Sequence, residues 1–218
     1  MGKVDCHFVF RPLTGKTTEY GEAMGKVDCH FVFRPLTGKT TECGDTGVIR
    51  MDGSNCFLAL VDALGHGPVA YEIACLAEEY LAGHFRAPLL EMIQGLHEHL
   101  KRTKGAVAAL CRLDMDTGRV DYVGMGNITV RTLGINSFTF IPRDGIIGYL
   151  MPSPKQQRQQ ISPGDIMVMY SDGIRPHFNS LDCSDLLKSD AATMAQGLLE
   201  RFGKKDDDAS CIVLRYLS

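Results

Sequence analysis

Strand-patterned segments fall into two groups on either side of a helical pair, without regular β-α alternation, an order that favours a layered α+β domain over a doubly wound sheet. Ahead of the helices, Val27, Cys29, Phe31 and Phe33 alternate with Asp28, His30 and Arg34, the period-two signature of a half-buried strand. Strands over 47–51 and 56–61 are expected to form a hairpin around Asp52-Gly53-Ser54-Asn55. Pro68 then opens a helix to about residue 85, with Val69, Ile73, Leu76, Ala77 and Tyr80 at helical spacing. A second helix spans about 87–104 on Leu89, Leu90, Ile93, Leu96 and Leu100. Strands return over 106–113, 120–125, 128–133, around 138–142 and over 166–170; a helix over 191–202 and a strand over 210–216 close the pattern.

Residues 1–20 recur as residues 24–43 with a single change, Tyr20 against Cys43. Repeat architectures need about three or more copies that share a pattern rather than near-identity, so this is a duplication or an added segment. Met24 reads as a natural start, because the second copy runs directly into Gly44-Asp45. The expected organisation is a duplicated segment, 1–23, dispensable for function, followed by a single domain, 24–218. The first copy repeats the strand pattern and is expected to pair on a sheet edge or with another molecule.

With 218 residues, 44% of them hydrophobic, the chain can bury one sizeable core. A net charge of -3, with the basic residues scattered, gives no electrostatic reason to expect nucleic acid or a membrane as partner. No apolar run approaches the ~18 residues of a membrane span, and the N-terminus lacks the order of a secretory signal. A cytoplasmic monomer is expected, with contacts swapped through the duplicated strand as the alternative. Of the eight cysteines, Cys56, Cys75, Cys111 and Cys211 sit in apolar segments and none forms a C-x-x-C pair, so reduced, buried thiols are expected.

Four aspartates share a placement. Asp45 precedes a strand, Asp62 closes the run Phe57-Leu58-Ala59-Leu60-Val61, Asp172 follows Met167-Val168-Met169-Tyr170-Ser171, and Asp207 precedes the last strand. Any one of them could be a loop cap. Together at the rim of a packed sheet they would repel one another unless cations neutralise them. An all-oxygen set suits Mg2+ or Mn2+, and two such cations ~3.5–4 Å apart can activate a shared water toward phosphorus.

Gly44-Asp45, Val61-Asp62-Ala63-Leu64-Gly65-His66-Gly67, Tyr170-Ser171-Asp172-Gly173-Ile174 and Asp207-Asp208-Ala209-Ser210, in that order, resemble the motifs of the PPM family of metal-dependent serine/threonine phosphatases, most closely its SpoIIE-like bacterial branch. The likeness covers residues 24–218. It implies a β-sandwich of two antiparallel sheets flanked by α-helices in α-β-β-α layers. It further implies two divalent cations, Mn2+ or Mg2+: Asp62 bridging both, the Ala63 carbonyl and Asp45 on the second, Asp172 and Asp207 completing the first. Asp208 is the alternative to Asp207. Asp62 and Asp172 would act catalytically through the metal-activated water. Ala63 stands where the family usually has glycine, which restricts backbone angles but spares the carbonyl. No arginine stands where many eukaryotic members bind phosphate.

Other residues weigh less. His66 could be a general acid or a loop spacer; His97 and His99, two apart on a helix, cannot share a metal and are expected to be solvated. Gly65-His66-Gly67 lacks the spacing and lysine of a nucleotide-binding loop, and Cys43 reads as packing. The resemblance implies hydrolysis of phosphoserine or phosphothreonine on a phosphorylated regulatory protein, a stressosome scaffold or anti-sigma antagonist. The rivals are a pseudo-phosphatase that binds phosphoprotein without turnover, and a hydrolase of small phosphate esters.

Overall fold

A computed structural model describes residues 18–24, 26–36, 42–133, 137–176 and 183–217. Among these residues ten strands and three α-helices are assigned: β1 (Thr18–Met24), β2 (Val27–Arg34), β3 (Asp45–Asp52), β4 (Asn55–Ala63), α1 (Pro68–His84), α2 (Leu89–His99), β5 (Ala106–Asp114), β6 (Arg119–Met125), β7 (Thr129–Leu133), β8 (Gln157–Gln160), β9 (Ile166–Tyr170), α3 (Ala191–Phe202) and β10 (Ala209–Tyr216). They form two antiparallel five-stranded sheets, ordered β1-β2-β10-β9-β7 and β3-β4-β5-β6-β8.

Strand periodicity sorts the side chains into three apolar layers. Along β4, Cys56, Leu58 and Leu60 enter the core between the sheets, together with Cys111 of β5, Met169 of β9 and Ile212 of β10. The alternate residues Phe57, Ala59, Val61 and Ala63 face α1 and α2. On the other outer face, Val168, Cys211 and Val213 pack against Met194, Ala195 and Leu198 of α3. The architecture is the expected α-β-β-α layering. Burial on both faces explains why β4, β9 and β10 read as continuous apolar runs.

Asp190 caps α3 by accepting the Thr193 backbone N–H at 2.7 Å, and Asp28 of β2 accepts that of Ala191 at 2.8 Å. Two carboxylates thus complement the positive end of that helix.

Several expectations shift. The first helix buries Ala70, Ile73, Ala74, Ala77 and Leu81, while Val69 and Leu76 are exposed; a stripe of small residues lets the helix approach the sheet closely. The second helix ends at His99 rather than 104, because Arg102 takes a left-handed φ of 72°. Residues around 138–142 make only bridge contacts to β7, and β8 was not anticipated. His97 accepts the Gly148 backbone N–H at 3.0 Å instead of being solvated, while His99 is exposed beside Tyr80, ring centroids 5.1 Å apart. The described cysteines are all free thiols, and burial pushes those of Cys111 and Cys211 up.

The strand pattern within the first copy lies outside the described residues. The junction segment β1 does pair with the edge of β2, from Thr18 opposite Phe33 to Met24 opposite Val27.

Candidate metal centre

Asp45 and Asp62 lie inside their strands, not beside them, and are partners in the β3–β4 register. The inward-facing row Cys56, Leu58, Leu60 of β4 therefore continues into Asp62 at the mouth of the sandwich. From the other sheet, Asp172 follows β9 and Asp207 precedes β10. One end of the molecule thus brings together all four aspartates singled out from the sequence, two from each sheet.

Two hydrogen bonds tie the sheets at this end. The Ser171 hydroxyl donates to Asp45 at 2.6 Å, and Asp208 accepts the Gly44 N–H at 2.7 Å as well as that of Leu36 at 2.6 Å. Gly173 is required by a close approach: a Cβ there would collide with the Asp208 carbonyl oxygen. Ala63, buried, donates its N–H to the Gly44 carbonyl at 3.0 Å. Its own carbonyl oxygen lies 3.3 Å from where a Gly44 Cβ would stand, so Gly44 leaves that oxygen uncrowded.

The electrostatics follow from this packing. Burial raises the Asp45 carboxyl to about 7, against the Ser171 and Ser210 hydroxyls and with help from the charges of Asp208 and Asp207. Asp62 is driven to about 9 by burial and then by repulsion from Asp45, Asp172, Asp207 and Asp208. Asp207 is raised by burial and by Asp172, with Lys204 opposing. Among the described residues no lysine or arginine forms an ion pair with any of these five acids.

The donor set fits hard divalent cations: carboxylates and a backbone carbonyl, clustered at a cost that positive charge would remove. Among the described residues no three His, Cys, Asp or Glu side chains converge on one point. The all-oxygen donor set suits Mg2+ or Mn2+ and disfavours zinc, which prefers His and Cys. Asp207 and Asp208 separate by role, since both oxygens of Asp208 are occupied by backbone amides whereas Asp207 is half-buried with no side-chain partner among the described residues.

Sequence reasoning missed two participants. Asn127, taken as a turn former, donates to Asp172 at 2.9 Å, and Ser171 supports Asp45. Their signal was adjacency: each stands at a strand end beside the site. His66 is exposed in the loop before α1, and Cys43 is buried beside Gly44.

The family profile described as Stage II sporulation protein E (SpoIIE) matches residues 52–217. The phosphoserine phosphatase RsbX of Bacillus subtilis (strain 168) is 22% identical over 133 residues, spanning 60% of this chain and 66% of that one. A chain solved in work on the bacterial stressosome superposes with a TM-score of 0.82 at 31% identity, covering 87% of this chain and 100% of its own. RsbX in complex with magnesium superposes with a TM-score of 0.80 at 18% identity, covering 91% and 100%.

Proposed function

Because this chain belongs to the SpoIIE family of metal-dependent serine/threonine phosphatases, we propose that it releases phosphate from phosphoserine or phosphothreonine on a regulatory protein, a stressosome component being the favoured substrate. The carrying observation is the Asp45–Asp62 cross-strand pair, met at the sandwich mouth by Asp172 and Asp207. Asp62, flanked by all the others, would contact both of two cations; Asp45 and the Ala63 carbonyl would hold one, and Asp172 and Asp207 the other. When bound, Mg2+ or Mn2+ lowers the pKa of a water and offsets the phosphoryl charge.

The chain's own residues do the rest. Ser171 fixes the Asp45 carboxylate, Asn127 orients Asp172, and Asp208 draws the β10 end onto Gly44. The carboxylates thus stand ready before substrate arrives, which lowers the reorganisation that catalysis would otherwise require. A bacterial phosphoserine phosphatase, RsbX, and a relative of the same fold solved in work on the bacterial stressosome support the substrate class. Such a substrate implies a cytoplasmic setting.

The test is phosphate release from phosphoserine and phosphothreonine peptides with Mn2+, Mg2+ or EDTA, for the chain and for Asp62→Asn. Release that requires a cation and falls by about a hundredfold or more in the variant is expected. Binding of phosphopeptide without turnover under any cation would replace this reading with a binding module.

A further inference from the structure

Basic residues are not evenly scattered: Lys101, Arg102 and Lys104 crowd the loop between α2 and β5. That loop borders the segment that follows Asp62 and Ala63. Leu64, next to Ala63, donates its N–H to the Gly105 carbonyl at 3.0 Å. Lys104 Nζ lies 3.7 Å from the position a Cβ on Gly65 would take. Lys101 is committed to Glu98 at 2.6 Å, whereas Arg102 and Lys104 are exposed and form no ion pair among the described residues.

The loop is held in a single shape. The Thr103 N–H and hydroxyl both donate to the Leu100 carbonyl, at 3.2 and 2.7 Å, and the Gly105 N–H donates to the Thr103 hydroxyl at 2.9 Å. Arg102 is the one non-glycine residue with positive φ among those described, a conformation glycine would adopt without strain. Strain kept at a long cation beside a functional site points to use of that cation. Behind it, the Gly148 N–H on His97 and the Ile147–Ala106 bridge fix a turn whose Tyr149 and Leu150 are 76% and 70% exposed.

We propose that Arg102 and Lys104 receive acidic residues flanking the phosphorylated residue of the substrate, and so set the direction from which a phosphoprotein enters. The proposal rests on the phosphatase reading. A segment carrying aspartate or glutamate beside its phosphate would be repelled by the site carboxylates and would find opposite charge at this loop. Complementary charge at a rim contributes mainly to choice of partner and to encounter rate.

The experiment uses two fluorescein-labelled phosphothreonine peptides, identical except that aspartates or serines flank the phosphothreonine, with p-nitrophenyl phosphate as a substrate too small to reach the loop. Lys104→Glu is expected to raise KM for the acidic peptide about tenfold, with the serine peptide and the small ester within about twofold. Arg102→Gly removes a cation and relieves the left-handed strain, so KM for the acidic peptide rises by about threefold while the melting temperature holds or climbs. Equal losses on all three substrates, or an unchanged KM for the acidic peptide, overturn the proposal. If the unmodified chain turns over none of them, the phosphatase reading falls. Anisotropy then decides docking alone, equal affinity of the chain and Lys104→Glu for the acidic peptide overturning it.

Discussion

Asp45 and Asp62 face each other directly across the β3–β4 ladder, so backbone register alone forces two carboxylates into one cross-strand pair at the buried mouth of the sandwich. Such partners have Cβ atoms about 4.5–5.5 Å apart, and like charges there destabilise a sheet. The pair is a stability liability in the absence of cations.

Stability of the chelated protein should therefore fall as pH rises. The folded Asp45 and Asp62 carboxyls are raised from 3.8 to about 7 and about 9, so between those values the folded state keeps protons that the unfolded chain has released. As far as these groups decide it, stability is greatest at and below about pH 4, falls progressively above it, and has lost their contribution by about pH 9. Melting temperatures in EDTA across pH 5 to 8.5 should decline, and excess Mg2+ should flatten the decline. A flat profile in EDTA would show that the two carboxyls titrate in the folded protein as they do in the unfolded chain.

The neighbouring aspartates should separate cleanly. Asp208→Ala strands two backbone amides and should cost about 3 kcal/mol, read as a lower melting temperature with and without metal. Asp207→Asn should leave the chelated melting temperature unchanged or higher and weaken Mn2+ binding by about tenfold or more in calorimetric titration. The reverse pattern would make Asp208 the ligand.

Gly173→Ala places a methyl group against the Asp208 carbonyl and the Ala209 Cα, both backbone atoms that can yield only by moving the strand end. A loss of about 2–4 kcal/mol is expected, with a larger fall in kcat than in KM because the Asp172 and Asp207 turns are pushed apart. Denaturant melts and steady-state kinetics check both.

A chain beginning at Met24 loses the β1 ladder along β2 but none of the carboxylates. It should retain phosphate release within about twofold and associate more at high concentration, since β2 becomes an open edge. Light scattering coupled to size exclusion, with the phosphate assay alongside, tests the pair of outcomes.

Much of the fold was readable because burial on both faces leaves unbroken apolar runs, as in β4, β9 and β10, and because α3 carries a clean helical stripe. Asp172 and Asp207 were placeable for the same reason: they stand where such runs end or begin. The Asp45–Asp62 partnership was not, since register is a property of two strands and one strand's pattern does not contain it. β8, Gln157–Gln160, is wholly polar and takes strand form only by pairing with β6, so no periodicity announced it. The buried face of α1 was misjudged because its alanines bury little area each, while Val69 and Leu76 carry the apolar weight yet point outward.

The acidic set is split between two sheets, and sheets packed face to face stand about 10 Å apart at a distance fixed by the side chains between them. Leu60, Met169 and Ile212, none of which meets substrate, thus act as the shims of a calliper whose jaws are the carboxylate pairs. Swapping one shim for a larger or smaller residue re-gaps the jaws, so reactivity in this protein can drift through its interior while every residue at the mouth stays the same.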